Sequence, residues 1–336
     1  MRGRNPTTLE EGKMIPRSIR VLASCFAAGL LAATAPAPSS FAADAAQKHF
    51  ASPEAAVQAL VDALESDDKT ALYALFGADE KELIESGDPV ADRLAAAGFV
   101  ERYASAHRIL KTSATRAELE VGEDQWPLPI PIVKDAAGWW FDGKAGEAEI
   151  LSRRIGRNEL SAIQACLAYV DAQREYYERN PEKSPLLHYA RHFRSAPGRR
   201  DGLYWPTEEN EEPSPLGPLF ESASEEGYEL GKGNEPSPYH GYFYRILEGQ
   251  GPRAPGGAYS YLAKNQLVGG FALLAYPARY GASGVMSFLV NHEGVVYETD
   301  LGPQTEDRAK AISLFDLDAN TVRVPDPEKD EPVPSE

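Results

Sequence analysis

YHGYFYRILEGQGPRAPGGAYSYLAKNQLVGGFALLAYPARYGASGVMSFLVNHEGVVYETDLG, residues 239–302, is the stretch that decides the fold. Residues 242–247 alternate in the manner of a strand, and the runs 270–276, 285–290 and 295–297 are rich in β-branched and aromatic residues. Gly, Pro, Asn and Ser separate the runs, which is typical of an antiparallel meander. We predict four strands whose apolar face needs a second layer to cover it.

The layer that covers this sheet is predicted to be one long helix over residues 146–179. Apolar side chains recur there at helical spacing, and Gly156 is the one weak point. Asn180 and Pro181 end the pattern. The predicted apolar stripe consists of Ile150, Leu151, Ile155, Leu160, Ile163, Leu167 and Val170. We therefore predict a domain over residues 147–322, in which a long helix packs on the meander.

The sequence pattern of residues 48–146 predicts a separate α+β domain. Ser52 and Pro53 are an N-cap and a first helical residue, and a later helix is expected over residues 90–107. The apolar period then changes to two, and residues 126–133 read as an edge strand, because prolines cannot donate to a ladder. The whole chain is thus predicted to be α+β.

The first 42 residues have the pattern of a secretory signal peptide. Arg17 and Arg20 precede an apolar run at 21–35, and a small-residue cleavage pattern ends near Ala42 or Ala43. Residues 1–13 have no targeting character, so Met14 is the better start. The run is too short for a membrane span, and we predict a periplasmic or secreted protein with no membrane span after cleavage.

A lipoprotein-like box ends at Cys25. The apolar run continues beyond this cysteine, whereas a lipidated cysteine should close such a run, so we do not expect lipidation. Cleavage would leave Cys166 as the only cysteine, which excludes an intramolecular disulfide. Its apolar surroundings favour a buried residue over a reactive thiol.

The chain is acidic, with a net charge of −17 over 336 residues. Removal of residues 1–42, with five basic and two acidic residues, makes the charge −20. We therefore expect no nucleic-acid partner, since nucleic acid needs a basic surface. Residues 207–238 read as an acidic solvated loop with a short helix near 217–224, and residues 323–336 as a disordered acidic tail.

A compact basic group, Arg153, Arg154 and Arg157, is unusual in so acidic a chain. Arginine suits carboxylate or phosphate, so this group is either an anion site at the domain junction or a set of pairs with local Glu147, Glu149 and Glu159 or with the first domain. No histidine pair carries a complete zinc motif, and no nucleophile elbow is present. We predict no cofactor, no metal and no catalytic residue, while a loose calcium site near Asp300, Asp316 and Asp318 stays open.

Two partial resemblances refine the fold. The helices and strands of residues 48–146, with the Trp126–Pro127 and Trp139–Phe141 segments, resemble the cone-like fold of nuclear-transport-factor-like domains, in which aromatic residues line a pocket or fill a small core. The long helix ending in DAQREYY and the strand Gly241–Tyr244 followed by FLVNHEGVVY resemble a pilin-type soluble domain. A globular domain stands where a pilin has its membrane segment, so pilus assembly is not implied.

A third resemblance covers nearly the whole mature chain. The ordered motifs WPLPIPIVKD, RRIGRNE, DGLYWP, QGPRAPGGAYSY and NHEGVVYETDLG resemble the bacterial domain-of-unknown-function family 2950. The resemblance implies a secreted or periplasmic protein and implies no activity.

We predict a non-catalytic binding or envelope-interaction module, whose partner is an envelope protein or a small ligand. The alternative is a hydrolase or lyase that uses Asp142, Asp201 or His240 with the arginines, in the cone pocket or an interdomain groove. The Pro/Gly-rich connection 251–261 is a further candidate for partner contact. The predicted ligand or partner residues are Arg153, Arg154, Arg157, Trp126, Trp140, Asp201, Trp205 and His240.

Overall fold

A computed structural model describes residues 47–208, 210–229 and 236–325. The predictions for residues 1–42, Cys25 and most of the acidic tail lie outside this part of the chain. Within it the protein is α+β, as predicted. The helices are α1 Pro53–Glu65, α2 Lys69–Phe76, α3 Lys81–Ile84, α4 Pro89–Ser105, α5 Gly143–Arg179, α6 Gly217–Glu225 and α7 Thr305–Ala311.

Strands occur on both sides of α5 in the chain. The first group is β1 His107–Ser113, β2 Arg116–Val121, β3 Trp126–Pro127, β4 Ile132–Lys134 and β5 Trp139–Phe141. Short pieces follow: β6 His192–Arg194, β7 Gly202–Tyr204, β9 Gly249–Gln250, β10 Tyr259–Ser260, β11 Leu262–Ala263 and β12 Gln266–Leu267. The second large group is β8 Tyr242–Leu247, β13 Ala272–Pro277, β14 Met286–Asn291, β15 Val296–Asp300 and β16 Val322–Arg323.

The first sheet is antiparallel, with the order β1-β2-β4-β5 and β3 paired to β2. Its apolar face packs on α1 and α2, where Val57, Leu60 and Leu75 meet Leu119 and Phe141. Ser52 caps α1 by accepting the Ala55 N–H at 3.2 Å, and Pro53 is the first helical residue. The capping pattern in the sequence therefore set the start of this layer correctly.

The second sheet is the predicted meander, with the order β16-β15-β14-β13-β8 and every pair antiparallel. All residues of β13 are buried, because both faces of the strand are covered. Leu273 and Ala275 pack towards α5, while Ala272 and Leu274 pack towards α7 and Phe315. The meander is thus the middle layer of three, one layer more than the sequence predicted.

Helix α5 has 37 residues and is about 55 Å long at 1.5 Å per residue. It begins at Gly143, three residues before the predicted start, because the Asp142 carboxylate accepts the Ala145 N–H at 3.1 Å and caps it. Asn180 ends it in the left-handed conformation, with φ 45°. Within the described residues, no helix is both long and apolar enough to cross a membrane.

The predicted apolar stripe of α5 is wrong at two positions. Leu160 and Leu167 are 66% and 36% exposed. At 100° per residue, Leu160 lies about 120° around the helix from Cys166, which is fully buried, as predicted. The face that enters the core carries small, aromatic and polar residues instead: Ala162, Cys166, Tyr169, Val170, Gln173 and Tyr176.

One predicted element has a different form. The edge strand over residues 126–133 is two pieces, β3 and β4, since Pro129 and Pro131 lack the N–H that a continuous ladder requires. Residues 189–193 are extended: the Tyr189 N–H donates to the Leu267 carbonyl at 2.8 Å. His188 and His192 therefore do not share a helix face.

The acidic loop and the tail are more ordered than predicted where they are described. Helix α6 confirms the short helix, but Phe220 and Tyr228 are buried, so residues 207–238 are not simply a solvated loop. At the tail, Arg323 pairs with Tyr297 in the sheet, and the Val324 N–H donates to the Val296 carbonyl at 2.9 Å. The tail prediction therefore began two residues too early.

Candidate functional site

An open groove of about 690 Å³ lies between α4 and the first half of α5. Leu60, Leu72 and Phe76, from α1 and α2, form part of its floor together with Leu128 and Ile130. Five of the eight residues predicted from the sequence meet at this groove: Trp126, Arg153, Arg154, Arg157 and His240.

The α4 wall is mostly apolar and open, and its charged members are Asp92 and Arg102. None of the 17 residues of α4 is buried, although a helix in a globular protein normally buries one face. Ala91, Ala95 and Phe99 line the groove, and Leu94, which also lines it, is 43% exposed. A Cβ added at Gly98 would meet no atom within 4 Å, so this wall has room for a bound molecule.

The α5 wall is polar and cationic. Its lining residues follow the helical repeat, with steps of three or four residues that place them on one face. They are Ile150, Arg153, Arg154, Arg157, Asn158 and Ser161. The groove therefore combines an apolar floor and wall with one wall of arginines.

Arg154 is a structural clamp between α5 and α3. Its Nη1 and Nη2 donate to the carbonyls of Glu82 and Leu83 at 2.6 and 2.8 Å, at the end of α3. Burial lowers the pKa of the Arg154 guanidinium. Asp92 lies opposite, and burial raises the pKa of its carboxyl although the Ser86 N–H donates to it at 3.1 Å. Arg154 thus has its partners within the protein.

Arg153 is only partly engaged. Its Nε donates to Glu149 Oε1 at 2.6 Å, and its guanidinium lies over the Trp126 ring with the carbon 5.2 Å from the centroid. Its Nη1 is buried and has no acceptor in the described part of the chain. Arg153 therefore combines a local glutamate pair with one unpaired donor, and the residue lines the groove.

Arg157 is exposed and makes no hydrogen bond or ion pair with any residue that the structure describes. It follows Arg153 by four residues, so the two like charges are neighbours on the helix surface, an arrangement that costs a few tenths of a kcal/mol. The predicted local pairing of the arginines with glutamates thus holds for Arg153, while Arg157 stays available.

A buried carboxylate that the sequence analysis missed holds α4 in place. Asp88 is fully buried; its Oδ1 accepts the N–H groups of Val90 and Ala91 at 3.1 Å, which caps α4. Its Oδ2 accepts the Tyr228 hydroxyl at 3.0 Å and the Gly241 N–H at 2.8 Å. The Asp88-Pro89 pair is a visible cap signal, but its partner 140 residues away is not visible in sequence.

Trp140, Asp201 and Trp205 lie outside the groove. Trp140 lies beside the His49 ring, with centroids 6.1 Å apart. Asp201 accepts the Ala196 N–H at 2.9 Å in its own turn. Trp205 is 7% exposed and belongs to the core under α5. The resemblance to a cone-like fold offered Trp126, Trp139, Trp140 and Phe141 as pocket residues. Trp139 and Phe141 belong to the first core, and of these four only Trp126 lines the groove.

The acid–base set proposed for a hydrolase or lyase does not assemble in the described residues. Asp142 caps α5, Asp201 caps its own turn, and His240 Nε2 lies 3.5 Å from Glu226 Oε2. No hydrogen bond or ion pair within residues 47–208, 210–229 and 236–325 joins these groups to one another or to Arg153, Arg154 or Arg157.

The structure describes the three residues of the suggested calcium site, Asp300, Asp316 and Asp318. Among the residues described, no three metal-ligating side chains come together. Asp316 pairs with Arg253, whose Nη2 lies 2.6 Å from its Oδ2, while Asp300 and Asp318 accept N–H groups of their own turns. The same Arg253 ties down the 251–261 connection, where Ala254 is buried.

The fold and the groove define a class: an α+β protein with an open apolar groove edged by arginines. A family model described as "Protein of unknown function (DUF2950)" matches residues 47–324, and the chain belongs to this family. Comparison with curated proteins gave no match, and neither did comparison with solved structures.

Proposed function

We propose that the protein is a non-catalytic binding protein that holds a small ligand in the groove between α4 and α5. The observation that carries the proposal is the α4 wall, where 17 residues include none that is buried. When a ligand covers apolar side chains that face an open groove, the burial of this surface is favourable by about 25 cal/mol per Å².

The dimensions of the groove favour a small molecule over a protein. Its volume of about 690 Å³ lies within the range of roughly 300–1,000 Å³ that is typical of small-molecule sites. A stable protein partner would need about 800 Å² of contact per side, spread over a flatter surface. A partner protein of the envelope is therefore the less favoured occupant.

The proposed location is the periplasm or the cell exterior. It rests on the charge, apolar run and small-residue site of residues 1–42. A binding protein in that location would meet ligands that are taken up, released or extracted from the envelope.

The test is a fluorescence titration with Nile red, a neutral apolar dye, on wild type, Gly98→Phe and Gly156→Phe. Both glycines are helical, and an added Cβ meets no atom within 4 Å at either, so both variants should fold. Only Gly98 lines the groove. We expect Gly98→Phe to weaken dye binding about tenfold or more, which is about 1.4 kcal/mol, and Gly156→Phe to leave it unchanged.

Two results would contradict the proposal. One is wild-type protein that does not bind the dye at all. The other is equal binding by wild type and Gly98→Phe, with the variant shown to be folded by its thermal unfolding.

A further inference from the structure

We infer that the ligand of this groove is an amphiphile with one anionic oxygen head, and that Arg157, together with Arg153, binds this head. The inference rests on the proposed function and adds to it the chemical class of the ligand. It follows from which charges around the groove are already paired and which are not.

Most charged groups around the groove have partners within the protein. Lys69 lies 3.6 Å from Glu85, Arg102 pairs with Asp124, and Arg154 donates to two carbonyls. Asp92 accepts the Ser86 N–H, and His240 lies beside Glu226. Asp67, an exposed acid, belongs to the turn between α1 and α2, whereas the arginines are on α5.

The unpaired positive charge is concentrated at one place on α5. Arg157 has no partner among the described residues, and Nη1 of Arg153, one turn earlier, has no acceptor there. The chain has 51 acidic and 34 basic side chains, so an arginine without a carboxylate stands out. A carboxylate or phosphate bound between the two guanidinium groups would relieve their repulsion and accept their N–H groups.

The remainder of the groove suits an apolar chain. The half-buried Leu64 and Phe76 and the α4 residues Leu94, Ala95 and Phe99 offer hydrocarbon and aromatic surface. Each CH₂ group buried there contributes about 0.8 kcal/mol. A head bound at α5 and a chain laid against α4 would therefore use both walls at once.

The experiment measures displacement of Nile red by four probes with the same twelve-carbon chain: dodecanoate, dodecyl phosphate, dodecanol and dodecylammonium. The proteins are wild type, Arg157→Gln and Arg93→Gln. Arg93 is an exposed arginine of α4 that does not line the groove, so Arg93→Gln is the matched control for the loss of one positive charge.

We expect wild type to bind at least one of the two anions about tenfold more tightly than dodecanol, and dodecylammonium more weakly than dodecanol. Arg157→Gln should remove about tenfold of the anion affinity, about 1.4 kcal/mol, and leave dodecanol unchanged. Arg93→Gln should behave as wild type. The tighter anion identifies the head as carboxylate or phosphate.

Equal affinity for dodecanol and both anions, or an Arg157→Gln variant with unchanged anion affinity, would overturn the inference while leaving the proposed function intact. An equal loss in Arg93→Gln would also overturn it, because the effect would then be one of net charge. Failure of Nile red to bind wild type would instead remove the proposed function itself.

Discussion

The two halves of α5 present different sides of one helix to two different surroundings. From Ala162 to Tyr176 one side is buried against the meander and the short strands, with Cys166 and Tyr169 at most 1% exposed. From Ile150 to Ser161 a side about 120° around the helix borders the open groove. The buried side of the second half packs against the core beneath it, whereas the groove side of the first half borders open space.

The chemistry of the two halves differs in the same sense. Polar groups in the buried half are satisfied: Gln173 donates to the Ala190 carbonyl and accepts the Ala190 N–H, both at 2.8 Å. In the groove half, Arg157 has no partner within the described residues. Buried polar groups are expected to be paired, so the pairing of Gln173 marks a structural helix face, whereas Arg157 is exposed and open to a ligand.

The largest expected effect is in the buried half. Tyr169→Ala should lower the free energy of unfolding by about 3–5 kcal/mol, because it removes a fully buried aromatic ring from the core. Urea unfolding measures this. Leu160→Ala, at a position that is 66% exposed, is the control and should change stability by about 0.5 kcal/mol or less. A similar loss in both variants would mean that the core is not where the structure places it.

The next effect concerns α4, the groove wall opposite the first half of α5. Asp88→Asn should destabilise the protein by about 2–4 kcal/mol, since an amide NH₂ in place of Oδ2 removes the acceptor of both the Tyr228 hydroxyl and the Gly241 N–H. Asp142→Asn is the matched control, because this cap accepts a single N–H and Asn caps a helix about as well as Asp.

Chemical denaturation of both variants checks the prediction, and Nile red titration shows whether α4 still forms the groove wall. If Asp88→Asn were as stable as Asp142→Asn, Asp88 would not hold α4 to the second half of the chain.

The smallest expected effect is a pH dependence near the start of α5. Burial, and then the neighbouring Glu147, raise the pKa of Glu80 from its ordinary value of 4.5. The folded state therefore favours neutral Glu80, and this stabilisation is complete below pH 4.5 and is lost as the pH rises through the raised pKa. Glu80→Gln should match wild type in thermal unfolding at pH 4 and be more stable at pH 7. A variant that is less stable than wild type at pH 7 would contradict this.

The sequence predicted the parts of the fold that depend on local pattern. The β8, β13, β14 and β15 strands, the long helix and the α1 cap follow from alternation, helical spacing and capping residues, which act within a few positions. The turn at Gly294 is an example: its φ of 78° is the conformation that glycine adopts without strain.

The parts that were missed depend on contacts between distant residues. Leu160 has the spacing of a core residue but is exposed, because no element of the described residues covers that side of α5. The Asp88–Tyr228 bond joins residues 140 positions apart. The arginines and Trp126 were identified from the sequence as candidate binding residues. The apolar wall of α4, which forms a groove together with them, was not.

The most direct test of the central claim is methyl NMR of the protein titrated with dodecanoate. We predict shifts of the Leu94, Leu128 and Ile150 methyl groups, which line the groove. We expect none at Leu216, Leu219 and Leu273, which line a smaller cavity of about 240 Å³ beside the second half of α5. Shifts confined to Leu216, Leu219 and Leu273 would contradict the claim and place binding on the other half of the helix.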